Sequence, residues 1–85
     1  MIKATQVKEV QVKKIRPGVA RAQLGLTQVE LAERSGISYK TIGAGENGAP
    51  IRLLSAVAIL EAINQERIKR GMEPLDFEEV DWNIQ

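Results

Sequence analysis

Residues 21–48 read RAQLGLTQVELAERSGISYKTIGAGENG, and the punctuation of this stretch decides the fold. Thr27 precedes an apolar-periodic run, and Glu30 follows it by three residues. A hydroxyl and a carboxylate at that spacing satisfy the free backbone donors of a helix start reciprocally, as a capping box. Leu26 and Leu31 flank the cap where a hydrophobic staple belongs. Val29, Leu31 and Ala32 carry the apolar face until Ser35, and Gly36 then supplies a residue free to turn left-handed. A second start follows at once, with Ser38 as cap and Ile37 and Ile42 as staple. Two capped helices with so short a connection predict a helix-turn-helix.

Upstream, Pro17 suits the first turn of a preceding helix running to about Leu24. Downstream, Gly48-Ala49-Pro50 breaks the chain, because proline restricts the residue before it and cannot continue a helix. From Ile51 a long apolar-rich helix carries Leu53, Leu54, Val57, Ala58, Leu60 and Ile63, then the polar Asn64–Arg70 segment, and stops at Gly71. The expected helices therefore span 17–24, 28–35, 39–46 and 51–70. Asp76 and Glu79 repeat the capping-box spacing and predict one further turn over Asp76–Val80. Residues 1–13, with Val7, Val10 and Val12 among Lys, Gln and Thr, fit a short strand, a helical turn or a disordered arm.

In register, Arg21, Gly25-Leu26-Thr27-Gln28, Leu31-Ala32, Gly36, Ser38, Thr41-Ile42 and Glu46-Asn47-Gly48 resemble the DNA-binding domain of phage repressors and Cro proteins, the Xre family. The resemblance covers roughly residues 15–63. It implies an all-α, five-helix-type lambda-repressor-like bundle. The domain occupies residues 14–71, between an N-terminal arm (1–13) and a C-terminal tail (72–85).

The resemblance also assigns roles. Gln28, at the start of the second helix, matches a phosphate-contacting position, where free N–H groups and the helix dipole favour anions; otherwise it is simply a solvated helix-start residue. Thr27 and Arg21 are expected to contact phosphate alongside it. Asn47 matches a second phosphate contact, although an Asn-Gly pair also serves turn geometry. Ser38, Tyr39, Lys40 and Ala44 match the positions that read bases or touch flanking phosphates. The start of the second helix of the motif faces base edges in the major groove. Lys40 would donate to guanine, Tyr39 would bond a phosphate or pack on a thymine methyl, and Ala44 offers apolar contact only. Any exposed Tyr-Lys pair would look the same. Arg21 and Glu46 match a structural ion pair joining the first helix to the end of the third.

One departure stands in the third helix. Gly43, Ala44 and Gly45 replace what the family usually carries as a polar residue, a basic or amide residue, and a large apolar one. Two interior glycines cost about 1 kcal/mol each relative to alanine. Either Trp82 or Phe77 from the tail fills the space left at Gly45, or the helix is loosely held.

Composition bounds the rest. With 85 residues the chain suffices for one small domain, and zero Cys and His exclude disulfides and the usual zinc-finger ligands. No phosphate-cradling glycine loop occurs, and the acidic residues near Asp76–Asp81 lack the glycine and ligand spacing of a calcium loop. No catalytic residue, metal or cofactor is expected, so an enzyme is not. The absence of a long apolar run predicts no signal peptide or membrane span, and a cytoplasmic protein. The net charge of +1 conceals an asymmetry: residues 1–40 hold eight Lys/Arg and three Glu, residues 41–85 four Lys/Arg and eight Asp/Glu. That is either chance segregation on solvated faces or a basic half suited to phosphates.

The leading expectation is a transcriptional regulator binding double-stranded DNA as a homodimer. The alternative is a protein-interaction or antitoxin-like module with weak DNA affinity. Leu75, Phe77, Val80, Trp82 and Ile84 are many large apolar groups for a tail. They are expected either to contribute a contact between two copies or to fold back wholly onto a monomer.

Overall fold

The computed structural model describes residues 13–85, so all but Lys13 of the expected arm lies outside the described residues. Four α-helices follow: α1 Pro17–Ala22, α2 Gln28–Ser35, α3 Tyr39–Glu46 and α4 Leu53–Lys69. A single 3-10 turn, Phe77–Glu79, stands in the tail where the turn over Asp76–Val80 was expected. The class is all-α; among the described residues the extended backbone is limited to two isolated parallel bridges, Ile15 with Val80 and Ile51 with Ile84.

The caps form as the sequence dictates. Thr27 Oγ1 accepts from the Glu30 amide at 3.0 Å, while the Thr27 amide donates to Glu30 Oε1 at 2.8 Å. The Thr27 amide, and after it the Thr27 hydroxyl, hold the Glu30 carboxyl below its ordinary pKa. Gly36 ends α2 at φ 74°, and Ser38 Oγ accepts from the Thr41 amide at 3.1 Å to start α3. Leu26, Leu31 and Ile42 are buried, so the apolar partners of both caps belong to the core. With them lie Ala20, Leu24, Ile51, Ala56, Ile59 and Ile63.

Three boundaries differ from the expected spans, the end of α4 by one residue only, at Lys69. Helix α1 stops at Ala22, because the chain tightens there: the Leu24 and Gly25 amides reach back only three residues, to Arg21 and Ala22, and Gly25 turns to φ 69°. Helix α4 begins at Leu53 rather than Ile51, because the Ile51 backbone is engaged elsewhere. Its N–H donates to Asn83 O and its C=O accepts from the Gln85 amide, both at 2.9 Å.

The tail folds back onto the domain. Asn64 reads the Leu75 backbone with both ends of its amide, donating from Nδ2 to Leu75 O and accepting from the Leu75 amide, each at 2.8 Å. Ile15 donates to Glu79 O and accepts from the Asp81 amide, each at 2.8 Å. Val80 is buried, Leu75, Phe77, Trp82 and Ile84 pack on the core, and the rings of Phe77 and Trp82 stack 5.9 Å apart. The space at Gly45 is filled neither by Trp82 nor by Phe77. Ile51 takes it, with Cδ1 3.2 Å from where a Cβ on Gly45 would stand. Trp82 lines a cavity of about 200 Å³ alongside. Gly45 is thus the complement of Ile51, and α3 is continuous through it.

A second clamp joins α2 to α4. Glu66 is 7% exposed, and its carboxylate accepts from Arg34 Nη1 at 2.6 Å and from Arg70 Nε at 2.7 Å. Hydrogen bonds from Arg70 and Arg34 outweigh desolvation and hold its pKa at about 2. A depressed carboxyl contributes stability that is complete above the unfolded-state pKa, about 4.3, and is lost as pH falls toward the folded-state value. Glu66→Gln is therefore expected to lower the urea midpoint at neutral pH. The gap to wild type should close between pH values of about 4.5 and 2, and a gap constant across that range would remove the assignment.

Gly43 and Gly18 provide a contrast in packing. Nothing lies within 4 Å of a Cβ built on Gly43, whereas one on Gly18 would stand 3.0 Å from Glu46 Oε1. Gly43→Ala is expected to stabilise by about 0.5–1 kcal/mol through helix propensity. Gly18→Ala is expected to forfeit that gain by displacing a tethered carboxylate, and denaturant titration of the two variants reads the difference.

Candidate nucleic-acid interface

The interface is organised around the carboxylate of Glu46 at the end of α3. Arg21 Nε donates to Oε2 at 2.7 Å and Nη2 to Oε1 at 3.0 Å, a bidentate pair across helices. Arg21 Nη1 donates to Leu26 O at 2.7 Å, tying α1 to the turn before α2. Gln28 Nε2 donates to Glu46 Oε1 at 2.8 Å. Burial works against the charged form of Glu46. Hydrogen bonds from Arg21 and Gln28, together with the guanidinium charge, outweigh it and keep the pKa below the ordinary glutamate value. The bond to Glu46 likewise raises the pKa of Arg21.

This cluster fixes where the expected contact residues stand. The Gln28 side chain is committed to Glu46, while its backbone N–H belongs to the first turn of α2, whose amides lack partners within the helix. Glu46 adjoins Asn47, so the start of α2 and the end of α3 meet at one edge. Asn47 is exposed and caps α3 with φ −88°; the left-handed residue of the pair is Gly48, at φ 86°. Thr27 is exposed, but its hydroxyl is occupied by the cap.

Ser38, Tyr39 and Lys40 lie at the opposite end of α3, about 10 Å away along the helix axis. All three are exposed, Tyr39 by 56%. Ala44 is half-buried against the core, and its free side borders a groove of about 430 Å³ shared with Lys40 and Thr41 of α3 and with Arg52 and Ser55 at the start of α4. Arg52 was not singled out by the sequence. Its only signal was a basic residue shortly after the Pro50 break, and the fold alone brings it beside Lys40.

A family model for helix-turn-helix domains of the Cro/C1 type matches residues 20–69. The chain belongs to that helix-turn-helix family. Cro/C1-type helix-turn-helix domains are DNA-binding rather than enzymatic, and the matched span runs from within α1 to the end of α4. No curated protein and no solved structure gives a significant match to the chain. Among the described residues no group of three or more potential ligands could hold a metal ion, and no helix is long and apolar enough to cross a membrane.

The Arg21–Glu46 pair is mostly enclosed, with side-chain exposures of 19% and 10%. Removing one charge of such a pair strands the other, at a cost toward the lower end of roughly 3–5 kcal/mol. Arg21→Met is expected to destabilise by that order. The Arg21→Met/Glu46→Leu double variant is expected to be less damaged than the single variants sum to, giving a coupling of about 1–3 kcal/mol in a double-mutant cycle. Strict additivity would show that the bidentate geometry contributes nothing.

Proposed function

We propose that the protein is a cytoplasmic transcriptional regulator that binds double-stranded DNA as a homodimer and lays α3 in the major groove. The observation that carries this reading is the exposed Ser38-Tyr39-Lys40 start of α3, clear of the core, in a chain of the Cro/C1-type family. Helix starts of this kind meet base edges. In this reading Lys40 donates to guanine O6 or N7, Tyr39 bonds a phosphate or packs on a thymine methyl, Ser38 contacts the flanking backbone, and Ala44 gives apolar contact. Gln28, Thr27 and Asn47 approach phosphates at the other end of α3, chiefly through backbone amides where their side chains are occupied. Arg21 supports them electrostatically from behind Glu46.

A protein-interaction or antitoxin-like role remains as the second reading, favoured by Gly43, which gives α3 no side chain at one interior position, and by the acidic tail. Salt separates the two. Neutralising about 4 phosphates per subunit gives a log–log slope near −4 per subunit, since each contributes about −0.9. Mobility-shift titrations on random duplex and on DNA upstream of the gene, at two salt concentrations, measure it. A flat dependence would sink DNA binding and leave the interaction module.

Lys40→Ala is expected to cost roughly 1–3 kcal/mol and to relax preference at one or two base pairs. Gln28→Ala removes the bond to Glu46 that seats the start of α2 and its phosphate-facing amides, and is expected to weaken binding evenly across sequences. Identical sequence profiles for the two variants would refute the division of roles.

A further inference from the structure

The segment that joins α3 to α4 is held by a residue lying beyond the matched helix-turn-helix span. Asn83 engages it at both ends. Its Nδ2 donates to Gly48 O at 2.9 Å, and its backbone C=O accepts from the Ile51 amide at 2.9 Å. The Gln85 amide donates to Ile51 O at 2.9 Å, so the same stretch of tail grips Ile51 twice. The segment has little of its own to fix it. Pro50 has no amide to donate, and Gly48 turns to φ 86°. Its local bonds run back to the glycine-bearing end of α3, from the Asn47 amide to Gly43 O at 3.0 Å and from the Ala49 amide to Ala44 O at 2.9 Å. Glycine in a helix is conformationally loose, so those bonds start from a weak support. The tail that delivers Asn83 is firmly anchored by contrast, by Asn64 at Leu75 and by Ile15 at Glu79 and Asp81.

We propose that Asn83 is a positioning residue for DNA binding, holding the Asn47-Gly48 turn at the end of α3 in the conformation that meets phosphate. This rests on the DNA-binding reading above and extends it to a residue of the tail. Asn83 acts through Gly48 O, the carbonyl one residue after Asn47. Tilting that peptide re-aims Asn47 and the edge it shares with the start of α2. A turn fixed before DNA arrives loses less freedom on binding, so cutting the bond lowers affinity although no contact to DNA is removed. Were the bond a surface contact interchangeable with water, cutting it would leave binding untouched.

Asn83→Leu keeps the size of the side chain and removes the donor, and Asn83→Ala deletes the same bond by truncation. Asn83 is exposed, so both variants are expected to keep a urea midpoint close to wild type. In mobility-shift titrations both are expected to bind duplex about three- to tenfold more weakly than wild type, the range of one hydrogen bond, with base preference unchanged. Phosphate ethylation interference supplies a readout that a general loss of folding would not move. Interference is expected to weaken at the phosphates that Gln28→Ala affects, since both residues serve one edge, and to persist elsewhere. Without DNA, amide exchange at Gly48, Ala49 and Ile51 is expected to quicken by at least about threefold while that of Ile63 in the core stays at its wild-type rate. Affinity and interference equal to wild type in both variants would overturn the positioning role. So would a uniform loss of interference with a lowered urea midpoint, or unchanged exchange across Gly48–Ile51. A wild-type chain without affinity for duplex at low salt would instead sink the DNA reading on which the role rests.

Discussion

Three helices converge on one carboxylate. Glu46 receives Arg21 from α1 and Gln28 from α2 while standing at the end of α3, and Gly18 clears the space beside it. A charge so enclosed is held only by multiple donors, because desolvation penalises it and partial pairing would leave that penalty uncompensated. Every donor sits on a different element, so the network closes in one relative placement of α1, α2 and α3. The orientation of α3, and with it the direction in which Tyr39 and Lys40 point, is set by this arrangement together with the burial of Ile42 in the core.

The tail supports the same arrangement from the other side. Ile51 fills the space that Gly45 leaves, and the Ile51 backbone is in turn held by Asn83 and Gln85. A glycine that would weaken an isolated helix thereby becomes the seat of a packing contact. The tail consumes most of its own apolar groups in doing this, with Val80 buried and Trp82 stacked on Phe77. What the domain leaves uncovered is instead the beginning of α4, next to the groove shared with α3.

Much of this was legible in the residues. Capping boxes, staples and the Gly36 stop act over three or four residues, so their spacing alone determined α2 and α3 to the residue. The Arg21–Glu46 pair, 25 residues apart, was reachable only through family resemblance, and the Gln28 bond to Glu46 not even then, because a side-chain amide fits several partners equally well. Arg52 carried no local signal. Its place beside Lys40 follows from how α4 leaves the Pro50 break.

The sequence by itself determined the all-α class, the order of the helices and the exposed polar start of α3, since these follow from local backbone satisfaction and periodicity. Tertiary structure decided what fills the space at Gly45, where α4 begins and which apolar groups are left over. Each of those turns on Ile51, whose backbone could either continue a helix or pair with Ile84. Local propensity allows both, and only the tail, more than thirty residues later, selects between them.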